Sequence, residues 1–240
     1  MSRDLFQTLR RFFHINIPYG QPDNDRLFNV RPFFDALRDN MLKIDKEEHL
    51  NVDEFMIPFK GRNKLKQYIK NKPHKWGIKV FGLCGSSGML YDFQVYTGKD
   101  TVTEKTKLGI SGDIVMKLVQ TIPVKKNYTL YTDNWFTSYH LAAELHVRDL
   151  LMVVTVKENS IPKRLHKNLP KSPFTEDEND LKKRGGGSFT YATDDKNITA
   201  VKWLDNKCVT LLSNFVGVKP VQEVKRWSTS SNSHIVERQT

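Results

Sequence analysis

The sequence has few cysteines, no long apolar run and, over one stretch, no acidic residues at all. Its 240 residues include two cysteines, Cys84 and Cys208. Two cysteines cannot build a disulfide framework or a cysteine-rich zinc site, so we expect both to be reduced structural thiols. No apolar run approaches the roughly 18 residues needed to span a bilayer, and the first residues lack an apolar signal region. These absences predict an intracellular protein without membrane association.

The charge is strongly basic and unevenly distributed. The chain has 38 Lys or Arg residues against 27 Asp or Glu residues, a net charge of +11. Residues 60–79, called here the basic segment, contain eight of the cations and no Asp or Glu. A polyanionic partner is the natural inference, with a solvated charged face as the alternative. Tyr68 and Trp76 among the cations favour a surface that follows phosphates and stacks on bases.

Hydrophobic periodicity predicts a mixed α/β protein. Residues 4–15 predict a short amphipathic helix, and residues 27–44 a second one. The buried stripe of the second helix is expected to be Phe33, Phe34, Leu37, Met41 and Leu42. From residue 50 the pattern predicts strands over 52–58, 76–84 and 89–97, a helix over 113–120, a strand over 128–132, a helix from Ser138 to residue 148, and a strand over 151–156. That order is typical of a mixed sheet flanked by helices.

Beyond residue 157 the composition changes. Prolines, an acidic cluster at 176–178, a basic triplet at 182–184 and glycines at 185–187 predict a mobile linker or surface loop, rather than a phosphate-binding glycine loop. Strands are expected over 189–193, 200–204 and 208–215, and a frayed tail over the Ser-rich residues 227–233. We therefore divide the chain into a helical segment 1–49, a core 50–156, and a linker with a β-rich region 157–240.

Two aspartates are placed where they could bind a metal ion. Asp53 lies within a predicted strand, and Asp133 directly follows another. Carboxylate oxygens suit Mg²⁺ or Mn²⁺, and a strand end fixes them while leaving positions open for water and phosphate. From the residues alone, an ordinary strand-end or turn aspartate remains the alternative in each case. Glu54 should face the opposite side of the sheet from Asp53.

Several segments resemble the successive motifs of piggyBac-type transposases and their domesticated derivatives, in order from residue 1 to about residue 227. They include Val52-Asp53-Glu54, Met56-Ile57-Pro58-Phe59-Lys60-Gly61-Arg62, Asn71-Lys72-Pro73-His74-Lys75-Trp76-Gly77-Ile78-Lys79 and Asp133-Asn134-Trp135-Phe136-Thr137-Ser138. The Asn-Lys-Pro and Asp-Asn-Trp-Phe blocks are the specific ones. The resemblance implies a ribonuclease-H-like catalytic domain of the DDE/D class, which cuts DNA and joins 3′ ends at TTAA targets with Mg²⁺ or Mn²⁺. It identifies Asp53 and Asp133 as the first and second catalytic and metal-binding carboxylates.

Residues of the basic segment are the predicted nucleic-acid contacts. They are Lys60, Arg62, Lys64, Lys66, Lys70, Lys72, Lys75 and Lys79. The expected partner is double-stranded DNA, the expected location is the nucleus, and a homodimer is left open.

The sequence also departs from the family pattern. Family members usually carry Gln where this chain has Phe55, and their third carboxylate lies in a Gly-Gly-Val-Asp motif that this sequence does not contain. We therefore expect a core truncated at both ends, with two of three ligands and without cleavage activity of its own. The alternative is a domesticated DNA-binding or host-adaptor protein that keeps the fold and the charge without the chemistry.

Overall fold

The structure is a computed structural model that describes residues 1–12, 15, 25–124, 127–162, 173–219, 222–228 and 233–239. The helices are α1 (Arg3–Phe12), α2 (Arg31–Leu42), α3 (Gly109–Val119), α4 (Tyr139–Val147) and α5 (Glu178–Arg184). The strands are β1 (His49–Pro58), β2 (Lys66–Tyr68), β3 (Trp76–Gly85), β4 (Leu90–Val95), β5 (Thr129–Thr132), β6 (Leu151–Thr155), β7 (Phe189–Thr193), β8 (Thr199–Leu204), β9 (Cys208–Ser213), β10 (Gln222–Ser228) and β11 (Ser233–Gln239).

Nine of these strands form one mixed sheet. The order is β2-β3-β1-β5-β6-β9-β8-β7, with β4 paired to β3 as well. The pairs β1–β5 and β5–β6 are parallel, and the other pairs in this sheet are antiparallel. Both parallel pairs are joined by crossover connections: α4 leads from β5 to β6, and the longer connection from β1 to β5 passes through β2, β3, β4 and then α3. The predicted fold class, a ribonuclease-H-like mixed sheet flanked by helices, is confirmed.

Alternation along β1 decides which side chains enter the core. Leu50 and Val52 are fully buried with Phe81 of β3 in a large apolar cluster that includes residues of α3 and α4. The alternate residues Asn51 and Asp53 are exposed. One face of β1 therefore anchors the strand, and the other face presents its side chains to solvent.

Helix α2 packs on the other side of the sheet, over β3 and β4. Phe34 packs there against Phe93, with ring centroids 5.6 Å apart. The Arg38 guanidinium donates to both carboxylate oxygens of the fully buried Asp92, at 2.5 and 2.9 Å. The prediction that Phe33 is buried was wrong, because its side chain is 51% exposed. Successive helical residues point about 100° apart, so Phe33 faces away when Phe34 packs.

The region after residue 157 is more ordered than the composition predicted. The mobile loop predicted over 157–187 contains α5, which begins with a capping box between Asp177 and Asp180 and ends at Gly185 with a φ of 95°. Its Leu181 is fully buried. The prediction was wrong for this part because the capping signal and one apolar anchor outweigh a polar composition. Residues 163–172 lie outside the described residues.

The predicted strands near 189–193, 200–204 and 208–215 are confirmed as β7, β8 and β9, and the β6–β9 pairing joins them to the main sheet. The frayed tail was a wrong prediction where it overlaps β10 and β11, which pair as an antiparallel hairpin. Residues 229–232 lie outside the described part of the chain. The division at residue 157 remains a prediction. Within the described residues, no helix is long and apolar enough to cross a bilayer.

Candidate active site and nucleic-acid surface

The register between β1 and β5 sets Asp53 beside Asp133. These parallel strands pair up to Val52 and Thr132, and the two aspartates are the next residue on each. Side chains at equal positions on neighbouring strands lie on the same face, so a register continued by one residue would put both aspartates on the face that carries Asn51 and Tyr131. Both are exposed. The sequence placed each aspartate at a strand, and the structure brings the two strands together.

A tight turn fixes Asp133. Its carbonyl accepts from the Thr137 hydroxyl at 2.8 Å and from the Phe136 N–H at 3.2 Å, and its Oδ1 accepts from the Trp135 N–H at 2.7 Å. Ser138 then caps α4 by accepting from the Leu141 N–H, as its position in the sequence predicted. The turn holds the carboxylate in place without neutralising its charge.

The chemistry of Asp53 and Asp133 fits a divalent cation. The Asp53 Oδ1 accepts from the Glu54 N–H at 2.7 Å, and neither aspartate forms a salt bridge to a described residue. Two exposed carboxylates at adjacent strands are the hard oxygen donors that Mg²⁺ or Mn²⁺ prefers. A group of three acidic, His or Cys ligands is absent from the described residues. The catalytic and metal-binding roles remain predictions.

Glu54 is engaged elsewhere. Strand alternation turns it to the face opposite Asp53, and its carboxylate lies 3.2 Å from the Lys72 ammonium. The same ammonium donates to the Glu54 carbonyl at 2.9 Å. Glu54 therefore acts as a structural ion-pair partner for the basic segment, and Lys72 is less available to a phosphate than the sequence suggested.

Lys79 is enclosed by aromatic rings. Its ammonium lies 4.8 Å from the Phe81 ring centroid and 4.7 Å from that of Trp135, and the two rings are stacked 5.8 Å apart. Burial lowers the pKa of the Lys79 ammonium, although nearby carboxylates, Glu54 most strongly and then Asp133 and Asp53, act in the opposite direction. The sequence predicted a phosphate contact at Lys79, and the structure places its ammonium in a cation–π cluster on the face of the sheet that carries Glu54. Sequence reasoning missed this cluster because its members are about fifty residues apart.

The basic segment keeps five side chains exposed and without a salt bridge to the described residues. They are Lys60, Arg62, Lys64, Lys70 and Lys75. Lys66 instead donates to the Gly61 carbonyl at 3.2 Å, and its ammonium lies 5.1 Å from the Trp76 ring centroid. Of the eight predicted contacts, the structure thus leaves five in position to meet a polyanion directly.

An exposed aromatic pair lies at the centre of the basic segment. Tyr68 of β2 and Trp76 of β3 are cross-strand partners. Their ring centroids are 4.9 Å apart, and the residues are 50% and 54% exposed. Exposed aromatic rings next to cations are the arrangement that stacking on nucleic-acid bases requires.

The two cysteines are free thiols in this structure. Burial raises the pKa of the Cys84 thiol, and the nearby Asp53 carboxylate adds to that effect. A raised pKa keeps the thiol protonated and unreactive at neutral pH, which agrees with the predicted structural role.

Comparisons with known proteins agree on one family. The chain matches the family described as Transposase IS4 over residues 1–239. Human PiggyBac transposable element-derived protein 3 is 29% identical over 244 residues, which covers 100% of this chain and 39% of that protein. Human PiggyBac transposable element-derived protein 2 is 27% identical over 237 residues, covering 97% of this chain and 38% of that protein.

A solved structure shows the same relationship. It is the cryo-EM structure of the piggyBac transposase synaptic complex with hairpin DNA, with a TM-score of 0.75 and 27% identity, covering 98% of this chain and 46% of that one. The chain spans about two fifths of the length of these curated relatives.

Proposed function

The chain belongs to the Transposase IS4 family, among its piggyBac-type members, and we propose that it is a DNA-binding transposase-derived core with a divalent cation site at Asp53 and Asp133. The observation that carries the proposal is the parallel register ending at Val52 and Thr132, since the aspartates directly follow this pair. The similarity to a transposase solved with hairpin DNA supports the DNA partner. A nuclear location is part of the same proposal.

In this proposal each residue has a limited and definite task. Asp53 and Asp133 each offer carboxylate oxygens to Mg²⁺ or Mn²⁺, and the turn after Asp133 keeps its carboxylate oriented through the Trp135 N–H. A bound divalent ion at such a site activates water and stabilises charge on phosphate oxygens. The exposed cations of the basic segment hold the phosphate backbone near the carboxylates.

The finer proposal concerns strand cleavage and joining at TTAA targets, and it rests on the family resemblance. Two-metal phosphoryl transfer needs ions roughly 3.5–4 Å apart, held by shared carboxylates that offset their mutual repulsion. Two aspartates are few for that task. We therefore expect the 240-residue chain to bind duplex DNA and metal without cleaving DNA at a useful rate.

A second candidate function is DNA binding without chemistry. The observation that favours it is the position of Glu54, the acidic residue next to Asp53 in the chain, which faces the other side of the sheet and is paired with Lys72. Such a protein would keep the fold and the positive surface as a domesticated adaptor.

Mn²⁺ binding separates the two functions, and nicking and strand transfer of a labelled TTAA-flanked duplex in Mg²⁺ and in Mn²⁺ test for cleavage. The unmodified chain is compared with Asp53→Ala, Asp133→Ala and the matched control Asp45→Ala, an exposed aspartate that precedes β1. We expect duplex binding by all four proteins, Mn²⁺ binding by the unmodified chain and Asp45→Ala alone, and no metal-dependent cleavage. Mn²⁺ binding that is unchanged in Asp53→Ala and Asp133→Ala would favour the adaptor. Cleavage by the unmodified chain and the Asp45 variant, lost in the other two, would show that this chain supplies a further ligand and would exclude the adaptor function.

A further inference from the structure

One face of the sheet connects the aspartates to the exposed aromatic pair. Asp53 is opposite Gly82 of β3, and Ile57 is opposite Ile78, which is itself opposite Lys66 of β2. Because side chains alternate along a strand, Asp53, every second residue after it on β1, and the cross-strand pair formed by Tyr68 and Trp76 share this face. The carboxylate and the two rings are therefore presented to the same side.

The β1 edge of this face is exposed between these two points. Phe55 and Ile57, the alternate residues of β1 after Asp53, are 37% and 42% exposed. On β3 the partner of Phe55, Val80, is buried in the apolar cluster on which α2 packs. Beyond Val52, β1 has passed the end of its pairing with β5, and β3 alone continues beside it up to Pro58. The end of β1 thus extends past the aspartates with apolar side chains exposed along its edge.

The length of this extension sets a spacing. Trp76 lies six residues along β3 from Gly82, the cross-strand partner of Asp53, which corresponds to about 20 Å at 3.3–3.4 Å per residue. In one strand of duplex DNA the nucleotides rise about 3.4 Å each, so for a strand that stays stacked the distance corresponds to about six nucleotides.

The charge around the aromatic pair fits a nucleic acid strand. The basic segment contains no acidic residue, and Lys64, Lys70 and Lys75 are exposed on the loops that flank β2. In duplex DNA the faces of the bases are covered by their neighbours, and the phosphates point outward. Half-exposed rings such as Tyr68 and Trp76 can therefore stack only on an unpaired base, while the lysines bind its phosphates.

We propose that Tyr68 and Trp76 form a stacking site for an unpaired DNA base about six nucleotides from the phosphodiester held at Asp53 and Asp133. The spacing rests on the proposed function, whereas the stacking itself does not. The site selects DNA that is single-stranded or locally unpaired on one side of the reacting phosphate.

The first test compares single-stranded with duplex binding, using the full chain and fluorescence anisotropy with a labelled oligothymidine and a duplex of equal length. Trp76→Ala should weaken single-strand binding about fivefold to a hundredfold, the range expected for one base stacked on an aromatic ring. Duplex affinity should change less than about twofold, and Trp76→Phe should retain most single-strand binding. The matched control is Tyr191→Ala, an exposed tyrosine on β7 at the opposite edge of the sheet.

Three results would overturn the proposal. The first is unchanged single-strand binding in Trp76→Ala and in Tyr68→Ala. The second is an equal loss for single strand and duplex in variants whose circular dichroism is unaltered, because this would assign the surface to phosphates alone. The third is tighter binding of an oligouridine RNA of the same length, which would overturn the assignment to DNA.

The second test measures the spacing with duplexes that carry single-stranded overhangs of increasing length. Affinity should rise when the overhang reaches about six nucleotides, and Trp76→Ala should abolish that rise. A rise at every length, retained in Trp76→Ala, would contradict the site. The outcome is independent of metal binding: if Asp53→Asn abolishes Mn²⁺ binding while Trp76→Ala has no effect, only the stacking site fails, and the reverse result removes only the metal site.

Discussion

The salt dependence of duplex binding should report how many cations of the basic segment are free. Five of its side chains are exposed and without a salt bridge to the described residues, namely Lys60, Arg62, Lys64, Lys70 and Lys75. If each neutralises one phosphate at about 0.9 per contact, log affinity should fall against log salt with a slope of about −4.5. Between 50 and 200 mM salt, a fourfold change, that slope corresponds to a loss of about five-hundredfold in affinity.

Alanine substitutions divide the lysines into two groups. Replacing Lys64, Lys70 and Lys75 together by Ala should leave two contacts and a slope of about −1.8, so that the same salt change costs about twelvefold. Replacing Lys72 alone should leave the slope nearly unchanged, because its ammonium is already bound to the Glu54 carboxylate and carbonyl. Lys72→Ala is therefore the matched control for the single variant Lys64→Ala, with the same change in formal charge.

Fluorescence anisotropy titrations at four or five salt concentrations give these slopes. A wild-type slope near zero would mean that the segment is only a solvated face. A loss of slope in Lys72→Ala equal to that of Lys64→Ala would show that net charge, and not the individual contacts, decides the binding.

Three further predictions concern stability. Arg38→Met leaves the fully buried Asp92 without its bidentate partner. Urea unfolding should show a loss of about 3 kcal/mol in the free energy of unfolding, the low end for a broken buried pair because Arg38 is partly exposed. The double variant with Asp92→Asn should recover stability, and an unchanged unfolding midpoint for the single variant would exclude a stabilising role of the Arg38–Asp92 pair. Hydrogen bonds from serine hydroxyls and neighbouring groups lower the pKa of Glu47 from 4.5 to about 2. The Glu47 carboxylate therefore stabilises the fold above pH 4.5, and this contribution is lost as the pH falls towards 2. Glu47→Gln should be less stable than the wild type at neutral pH and equally stable in acid, and a stability difference that does not change with pH would contradict this. Leu181→Ala should lower the free energy of unfolding by about 2–5 kcal/mol because the side chain is fully buried. Lys183→Ala on the same helix should change it by less than about 0.5 kcal/mol. Equal effects of the two substitutions would show that Leu181 does not anchor α5.

The individual elements of the core could be predicted because their signals are local. Alternation over β1 and the apolar run of β6 predict strands, and Ser138 caps α4 where the sequence placed the cap. The opposite orientation of Glu54 followed from alternation alone. Such features need only neighbouring residues, so one sequence is sufficient to find them.

The parallel pairing of β1 with β5 could not be predicted from local signals. No pairwise signal in the sequence joins Asp53 to Asp133 eighty residues later. That they meet on neighbouring strands is a hypothesis drawn from two acidic residues at strands, and the family resemblance supports it. The cation–π cluster of Lys79 was missed for the same reason, because Trp135 reaches it through tertiary packing. Composition predicts that the Lys79 ammonium is available to a phosphate, whereas in the structure it lies over the rings of Phe81 and Trp135.

The predictions of a mobile loop and a frayed tail after residue 157 were wrong because they relied on the polar composition of these segments and not on the specific contacts that the residues form. A polar segment rich in glycine and proline predicts a loop, yet Asp177 and Asp180 form a capping box and Leu181 fills an apolar site. The Ser-rich residues at the end of the chain similarly obscured the pairing of β10 with β11. Strand pairing is a tertiary property that local propensity records only weakly.

Joint binding of one divalent cation by Asp53 and Asp133 can be measured by anomalous diffraction from crystals soaked in Mn²⁺, with crystals of Asp53→Asn as the control. We expect an anomalous peak in direct coordination with a carboxylate oxygen from each aspartate, absent from the variant. Carboxylates on opposite faces of the sheet, or a peak that contacts only one of them, would contradict it.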